Sequence, residues 1–223
     1  IALQASDALA TKTGQCDEGL QSAVGLNTTV LLVKAYKSGD PLVLSEPVGP
    51  TTPVASLDIC LVKLVVGPGN PGPVGAPSAS AGIGIEVWLP APASWNERIR
   101  DFGSGGWAGG VHTNTQLLGS RPIFLAAVNK GYAVGASDHG HPAPGNGSFT
   151  LNPDGSINTT LWHDFAERSM HELSRATKTL VRAFYGKKQQ YSYWDGYSTG
   201  AWDANGHFNI ITTHMKFGVI QRN

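Results

Sequence analysis

The residues best suited to chemistry lie in Gly196-Tyr197-Ser198-Thr199-Gly200, a G-x-S-x-G sequence that directly follows an aromatic run at 191–195. Such a sequence is typical of a nucleophile elbow, a sharp strand-to-helix turn that presents a serine hydroxyl. Flanking glycines allow the close backbone approach that this turn requires. Ser198 is therefore the candidate nucleophile, and the alternative is a chance pentapeptide in a glycine-rich chain.

A glycine-rich stretch supplies what a serine nucleophile needs opposite it. Residues 103–110 read Gly-Ser-Gly-Gly-Trp-Ala-Gly-Gly and follow an apolar strand pattern at 99–102. Glycines ease unusual backbone angles, so amide N–H groups are free to meet a developing negative charge. By analogy with esterases, Gly105, Gly106 and the amide of Thr199 are the candidate oxyanion hole, with Trp107 as a candidate substrate contact. A flexible linker is the alternative, and a phosphate loop is disfavoured because no Gly-Lys-Ser/Thr follows.

A third group of polar residues, Ser137-Asp138-His139-Gly140-His141, follows a predicted strand at 131–136. The carboxyl ends of strands carry the ligand contacts of open α/β sheets. Catalytic partners of Ser198 and metal ligands are two interpretations of this group. We favour a structural or substrate-contact role for Asp138 and His139, because an α/β hydrolase has its acid and histidine after the serine.

Composition limits the class of protein. The chain has 223 residues, 14% charged residues and a formal net charge of zero, which fits one α/β domain. Without a basic face or a long apolar run, nucleic acid and membranes are unlikely partners. The chain begins at Ile1 without an initiator methionine or an apolar leader, so we expect a mature or cut form.

Sequons and cysteines favour a secreted glycoprotein. Asn27, Asn146 and Asn158 each begin an N-x-Ser/Thr acceptor sequence in a stretch of turn-like composition. Cys16 and Cys60 are predicted to form a disulfide in an oxidising compartment, the alternative being two unrelated buried thiols. No His or Cys lies near either cysteine at metal-ligand spacing, so we expect no metal site.

Apolar periodicity predicts the elements that position these residues. Strands are predicted at 29–33, 57–66, 83–89, 99–102, 131–136 and 191–195, and the alternation at 83–89 is typical of a half-buried strand. A long helix is predicted over 164–185, ending at Gly186, with an apolar stripe of Ala166, Met170, Leu173, Thr177, Leu180 and Phe184. This order is typical of an α/β hydrolase up to its nucleophile.

Six segments of the chain form a recognisable series. They are Ile85-Glu86-Val87-Trp88-Leu89-Pro90, Trp95-Asn96, Gly105-Gly106-Trp107-Ala108-Gly109-Gly110, Gly131-Tyr132-Ala133-Val134, His171-Glu172 and 191–200. In this order they resemble the N-terminal part of the tannase/feruloyl esterase family. The resemblance implies an α/β-hydrolase fold and a secreted enzyme that cleaves esters of phenolic acids such as ferulate or gallate through an acyl-enzyme, with Ser198 as nucleophile. Its substrate would be a small phenolic ester, such as one derived from plant cell walls.

The resemblance also indicates what this chain lacks. Residues 1–200 are assigned to the N-terminal part of an α/β-hydrolase domain, and 201–223 to a tail that does not match the family, as a shifted reading frame or unspliced segment would produce. Tyr197 replaces a cysteine of many members, so their disulfide at this position is absent. The family's acid, histidine, later strands and lid domain with its calcium site come downstream. We therefore expect no cofactor in this chain and little activity, since Asp203, His207 and His214 in the tail are poor candidates for the acid and base.

A second class remains open, a non-catalytic secreted module that binds carbohydrate or phenolic compounds. Its stacking platforms would be Trp107, Trp162 and Trp194. Core packing is the alternative for these tryptophans, and it is favoured for Trp194 and for Trp88. A nucleophile elbow serves no purpose in such a module, so the sequence favours the hydrolase.

Overall fold

All six predicted strands are present in the structure, a computed structural model that describes residues 13–73, 75–142 and 146–195 and the backbone of 197–202 and 208–213. The strands in these residues are β1 (Thr28–Tyr36), β2 (Ile59–Val66), β3 (Ile83–Pro90), β4 (Arg98–Phe102), β5 (Ala133–Ser137), β6 (Tyr191–Asp195), β7 (Tyr197–Trp202) and β8 (Phe208–Thr213). The α-helices are α1 (Pro122–Val128), α2 (Thr159–His163) and α3 (Ser169–Tyr185). Short 3-10 helices occupy Glu18–Ala23 and Gly147–Thr150, and a π-helical turn, Asp164–Arg168, joins α2 to α3.

The first six strands form one mixed sheet in the order β1-β2-β3-β5-β4-β6. Strands β1, β2, β3 and β5 pair antiparallel, whereas β4 pairs parallel with both β5 and β6. The carboxyl ends of β5, β4 and β6 therefore meet at one edge, which is where open α/β sheets bind ligands. Strands β7 and β8 pair antiparallel in a two-stranded sheet.

Strand β3 is buried on both faces, so the prediction of a half-buried strand is wrong. All eight of its residues are buried. Ile85 and its neighbours on one face pack with the apolar side of α3. Trp88 on the other face packs with α1 and with Leu42. The sequence pattern was misleading because Gly84 and Glu86, which look solvent-facing, lie under a second layer.

The long helix has the predicted apolar stripe except at its beginning. Five of the six stripe residues are buried, but Ala166 is exposed. Ala166 lies within the π-helical turn, whose wider winding changes which face of the helix a residue occupies. Gly186 ends α3 in the left-handed conformation, with φ of 66°, as predicted.

The disulfide between Cys16 and Cys60 is present. Cys60 is a buried residue of β2, and Cys16 lies just before the first 3-10 helix. The bridge therefore ties the N-terminal segment to the middle of the sheet. A second tie lies nearby, because the N–H of Gly14 donates to the carbonyl oxygen of Phe184 in α3 at 2.7 Å.

Candidate active site

The glycine-rich loop at 103–110 begins beside the end of β6, the strand that leads to Ser198. Phe102 and Asp195, the last residues of β4 and β6, are register neighbours. One residue further, the N–H of Gly103 donates to the carbonyl oxygen of Asp195 at 3.3 Å. The sheet thus brings together the two segments that the sequence analysis predicted to form an oxyanion hole and a nucleophile turn.

The middle of this loop has open space beside it. Gly105 and Gly106 are exposed, and a Cβ atom added to either would meet no atom within 4 Å. Gly106 has a φ of 63°, a conformation that residues with a side chain rarely adopt. A ligand can therefore approach the backbone here.

The side chain of His139 connects the glycine loop to helix α3. The N–H of Ser104 donates to Nε2 of His139 at 3.4 Å, and Nδ1 lies 3.2 Å from Oγ of Ser169 at the start of α3. Because Nε2 accepts, the proton of the neutral ring must be on Nδ1 and point to Ser169. Burial lowers the pKa of His139 to about 4, which keeps the ring neutral near pH 7. Its 6% exposure fits a role in holding the loop better than the predicted direct contact with substrate.

Asp138 also faces inward. Its Oδ1 accepts the N–H groups of Gly84, at 2.8 Å, and Gly140, at 2.9 Å, which joins the start of β3 to the turn after β5. Burial raises the pKa of Asp138 to about 8, against the lowering effect of these two donors. With 3% exposure, Asp138 has little surface for the predicted substrate contact.

The far end of the loop is closed by His141. Its carbonyl oxygen accepts the N–H of Gly110 at 3.2 Å, while Nδ1 lies 2.9 Å from the carbonyl oxygen of Pro142. The ring stacks on Phe149 with a centroid distance of 3.7 Å. Both histidines after β5 thus contact the glycine loop, which the sequence alone did not indicate.

Trp107 lies on an aromatic surface next to the open glycines. Its ring centroid is 5.5 Å from that of Phe165, 5.9 Å from Trp162 and 6.1 Å from Phe149. Trp107 is 41% exposed and Trp162 44%. Trp194 is only half-buried but packs against the main core, and Trp88 is fully buried, so the prediction of core packing for these two is confirmed.

An ion pair that the sequence analysis missed fixes the last residue of β6. Nε of Arg100 donates to Oδ2 of Asp195 at 2.5 Å, and the guanidinium lies over the ring of Phe102, 4.9 Å from its centroid. The sequence signal that could have indicated this ion pair is a residue of opposite charge in each of the two short strands β4 and β6. The pair stabilises the point at which β6 passes to Gly196.

Ser198 and Thr199 are described by their backbone only. Both lie in β7, where Ser198 pairs with Thr212 and Thr199 with Ile211, so the chain here differs from the predicted strand-to-helix turn. The residues at 210–213, Ile-Ile-Thr-Thr, are β-branched and favour a strand over a helix. The side chains of Ser198 and Thr199, and Gly196, Asp203, His207 and His214, lie outside the described residues.

The three predicted glycan acceptors differ in position. Asn27 and Asn146 are exposed. Asn158 is 3% exposed, accepts the N–H of Leu161 as the cap of α2, and donates from Nδ2 to the carbonyl oxygen of Ser78 at 3.3 Å. The turn-like composition around Asn158 thus belongs to a buried helix cap.

The described part of the chain has neither a candidate metal site nor a candidate membrane span. No group of three or more His, Cys, Asp or Glu side chains in it has an arrangement that could hold a metal ion. Within the same ranges, no helix is sufficiently long and apolar to cross a membrane.

The sheet order and the glycine loop define an α/β-hydrolase-like fold. The crystal structure of feruloyl esterase B from Aspergillus oryzae is similar, with a TM-score of 0.56 and 22% identity, over 78% of this chain and 31% of that chain. An esterase structure from the same organism has a TM-score of 0.56 and 24% identity over 79% of this chain and 31% of that one.

Sequence comparison then gives the family. A profile described as "Tannase and feruloyl esterase" matches residues 71–206, and the chain belongs to this family. A probable feruloyl esterase of Arthroderma benhamiae is 32% identical over 156 residues, 69% of this chain and 26% of that protein. Feruloyl esterase B of Aspergillus niger is 28% identical over 201 residues, 89% of this chain and 33% of that protein. The mono(2-hydroxyethyl) terephthalate hydrolase of Piscinibacter sakaiensis is 30% identical over 124 residues, 52% of this chain and 19% of that protein. The chain spans a third or less of the length of these relatives.

Proposed function

We propose that this chain carries the nucleophile and the oxyanion loop of a serine hydrolase that cleaves esters of phenolic acids. The observation that carries the proposal is the hydrogen bond between Gly103 and Asp195, which places the glycine loop beside the strand leading to Ser198 in a member of this family. The relatives support an ester of an aromatic acid as the substrate, since feruloyl esters and mono(2-hydroxyethyl) terephthalate both belong to this class.

In the proposed reaction, Oγ of Ser198 attacks the ester carbonyl carbon while its proton passes to a general base. The carbonyl oxygen becomes an oxyanion, which the N–H groups of Thr199, Gly105 and Gly106 stabilise. The carbon–oxygen bond to the alcohol then breaks, and the alcohol leaves with the proton from the base. Water, deprotonated by the same base, then attacks the acyl carbon; the bond from this carbon to Oγ of Ser198 breaks, and Oγ takes the proton back from the base as the acid leaves.

The source of the base decides how active this chain is by itself. A serine hydroxyl without a neighbouring base is a weak nucleophile. His112, His139 and His141 are buried and packed around the loop, so we assign none of them to this task. In keeping with the family resemblance, we expect an acid and a histidine outside these 223 residues, and little turnover by the chain alone. We expect no cofactor in the site, and we assign the family's calcium ion to the lid domain.

The aromatic surface of Trp107 and Trp162 is the proposed contact for the acyl group. Both residues are over two-fifths exposed, and Trp107 directly follows Gly106. An aromatic acid stacked on Trp107 would have its carbonyl close to the amides that stabilise the oxyanion. Stacking between aromatic groups favours phenolic acids over aliphatic ones.

Two proteins test this function. One is the 223-residue chain, and the other joins residues 1–200 to the part of Aspergillus niger feruloyl esterase B that follows its aligned segment. We expect the joined protein to hydrolyse methyl ferulate and to be labelled by a fluorophosphonate, with both activities lost on Ser198→Ala. A joined protein that folds and hydrolyses the ester equally well with alanine at position 198 would contradict the assignment of Ser198.

A second function is favoured by one observation, the exposed pair Trp107 and Trp162 with ring centroids 5.9 Å apart. Such a pair suits a non-catalytic module that binds a phenolic compound or a sugar ring. Binding of ferulate or a xylo-oligosaccharide that requires both tryptophans, with no fluorophosphonate labelling of either protein, would favour the module.

We further propose that the protein is secreted. Its disulfide supports this proposal, because disulfides persist in oxidising compartments.

A further inference from the structure

A buried ion pair lies under the segment that follows the glycine loop. Lys63 of β2 and Glu86 of β3 are direct cross-strand partners, and Nζ lies 2.7 Å from Oε1. Both side chains are 0% exposed. The two residues project to the face of the sheet that carries Trp88 and α1, and the segment 111–120 passes above them.

Segment 111–120 surrounds the pair with four backbone groups, and the side chain of Ser120 also forms a hydrogen bond with Glu86. Nζ of Lys63 donates to the carbonyl oxygens of Leu117, at 2.6 Å, and Val111, at 3.5 Å. The carboxylate of Glu86 accepts the N–H groups of Gly119, at 2.7 Å, and Ser120, at 2.8 Å. The ion pair, four backbone contacts and the Ser120 hydroxyl thus satisfy two charges whose side chains are fully buried.

A buried ion pair is weak evidence for stability. Removing two charges from water is costly, and well-packed apolar residues of similar volume often serve equally well. What apolar residues cannot do is donate to two carbonyl groups and accept from two N–H groups of a loop. The pair therefore suits the task of specifying one loop conformation among several.

The segment that the pair holds is continuous with the candidate oxyanion loop. Val111 directly follows Gly110, the last residue of the loop. His112 extends this connection, because its ring fills the space beside two glycines: Cβ atoms added to Gly110 and Gly119 would lie 2.6 and 2.5 Å from its Nδ1. Burial lowers the pKa of His112 to about 4, so this packing is between neutral groups near pH 7.

We propose that Lys63 and Glu86 are positioning residues for the glycine loop, which fix its exit at Val111 while the bond from Gly103 to Asp195 fixes its entry. The amides of Gly105 and Gly106 are then held between two points that are set by the sheet. The catalytic consequence of this inference rests on the proposed function, but its structural part does not.

The experiment compares hydrogen–deuterium exchange in the 223-residue chain and two double variants. Lys63→Met/Glu86→Met keeps the volume and removes the charges. Lys63→Glu/Glu86→Lys keeps an ion pair but reverses donor and acceptor, so that neither side chain matches the backbone groups of 111–120. The control, Lys37→Ala/Asp58→Ala, removes a solvent-exposed pair that is 2.8 Å apart and does not contact the loop.

We expect exchange of the amides at 103–120 to become at least about tenfold faster in both Lys63/Glu86 variants, with β2, β3 and the control unchanged. Unchanged loop exchange, or an equal increase throughout the sheet, would overturn the inference. If neither double variant folds, Glu86→Gln gives the same comparison, because glutamine keeps the volume and one acceptor. Faster amide exchange in Glu86→Gln that is confined to 103–120 supports the inference, and equally faster exchange throughout the sheet overturns it.

The catalytic part is tested in the joined protein described above. There we expect Lys63→Met/Glu86→Met to lower kcat about tenfold or more and to change KM little, because a misplaced oxyanion donor acts on the transition state. Proportional loss of kcat and folded protein would indicate a purely structural role and overturn this part. A wild type without Ser198-dependent hydrolysis contradicts the proposed function, whereas active wild type with unaffected variants contradicts only the inference.

Discussion

The N–H of Gly103 and the carbonyl oxygen of Asp195 are joined by a hydrogen bond of 3.3 Å, although 92 positions separate the two residues. Gly103 begins the candidate oxyanion loop, and Asp195 ends the strand that leads to the candidate nucleophile. The parallel pairing of β4 and β6 accounts for this contact, since their last residues are register neighbours.

The conformation of Gly106 should make it intolerant of a side chain. Its φ is 63° and the space around it is open, so Gly106→Ala meets backbone strain but no steric clash. We expect this variant to lose about 1 kcal/mol of unfolding free energy, measured by urea denaturation. Gly105→Ala is the matched control, because it has equal space and no left-handed φ. It should be neutral or slightly stabilising, and equal losses in both variants would contradict the argument.

The stability of the protein should depend on the ionisation of Asp101. Burial raises the pKa of this β4 side chain to about 7, against the lowering effect of hydrogen bonds from Thr177 and Gly135 and of the nearby charge of Lys178. The folded state therefore keeps a proton that the unfolded state releases near pH 4, and this contribution to stability falls as pH rises from about 4 to 7.

Asp101→Asn should remove that dependence. Relative to wild type, the variant should gain unfolding free energy with rising pH, by at most about 1.4 kcal/mol per pH unit. Urea denaturation between pH 5 and 7.5 measures the difference. Asp154→Asn, at a carboxyl group that is fully exposed, should run parallel to wild type over this range. A difference for Asp101→Asn that does not vary with pH would show that the carboxyl ionises normally.

The bridge between Cys16 and Cys60 should contribute strongly to stability. It closes a loop with a sequence separation of 44, and a crosslink of this span reduces the freedom of the unfolded chain. We expect Cys16→Ala/Cys60→Ala to lose about 3–4 kcal/mol of unfolding free energy. Dithiothreitol should lower the stability of wild type towards that of the variant and leave the variant unchanged. Equal stability of wild type with and without reductant would contradict this.

Glycan occupancy should follow the positions of the three sequons. Nδ2 is the atom to which an N-linked glycan attaches, and in Asn158 this atom donates to Ser78 within the fold. After secretion from a fungal host, peptide mapping should find glycans at Asn27 and Asn146, and Asn158 unmodified. Full occupancy of Asn158 in folded protein would show that this helix cap forms differently.

The sequence predicts the sheet well because its strands are dense in branched apolar residues. The strand at 191–195 and the glycine loop were also predicted, since both patterns are local. Helix α1 was missed because it has only seven residues, and a short helix depends on tertiary packing for its stability. The burial of Glu86 was missed because a lone carboxylate in an alternating strand looks solvent-facing until its partner Lys63 is known.

The candidate site shows the same division between local and long-range information. The glycines at 105 and 106 are recognisable from their neighbours in sequence. His139 was predicted as a substrate contact, but its bond to Ser104 and its proximity to Ser169 depend on how β5, the loop and α3 come together. The turn at Ser198 was predicted from five residues, whereas the backbone there follows the β-branched residues of β8.

The π-helical turn at Asp164–Arg168 contains Phe165, so the number of residues in this turn sets the side of the helix on which Phe165 lies. A π-helical turn contains one residue more than an α-helical turn, so it is the expected trace of a single inserted residue. Removing one residue there, for example Ala166, would let α2 and α3 merge into one regular helix. The residues before the deletion would then rotate by about 100° relative to α3, because each residue of an α-helix advances by 1/3.6 of a turn. Phe165 would then turn away from Trp107. Family members that have a regular helix at this point should therefore be one residue shorter here, and their aromatic surface should have a different shape.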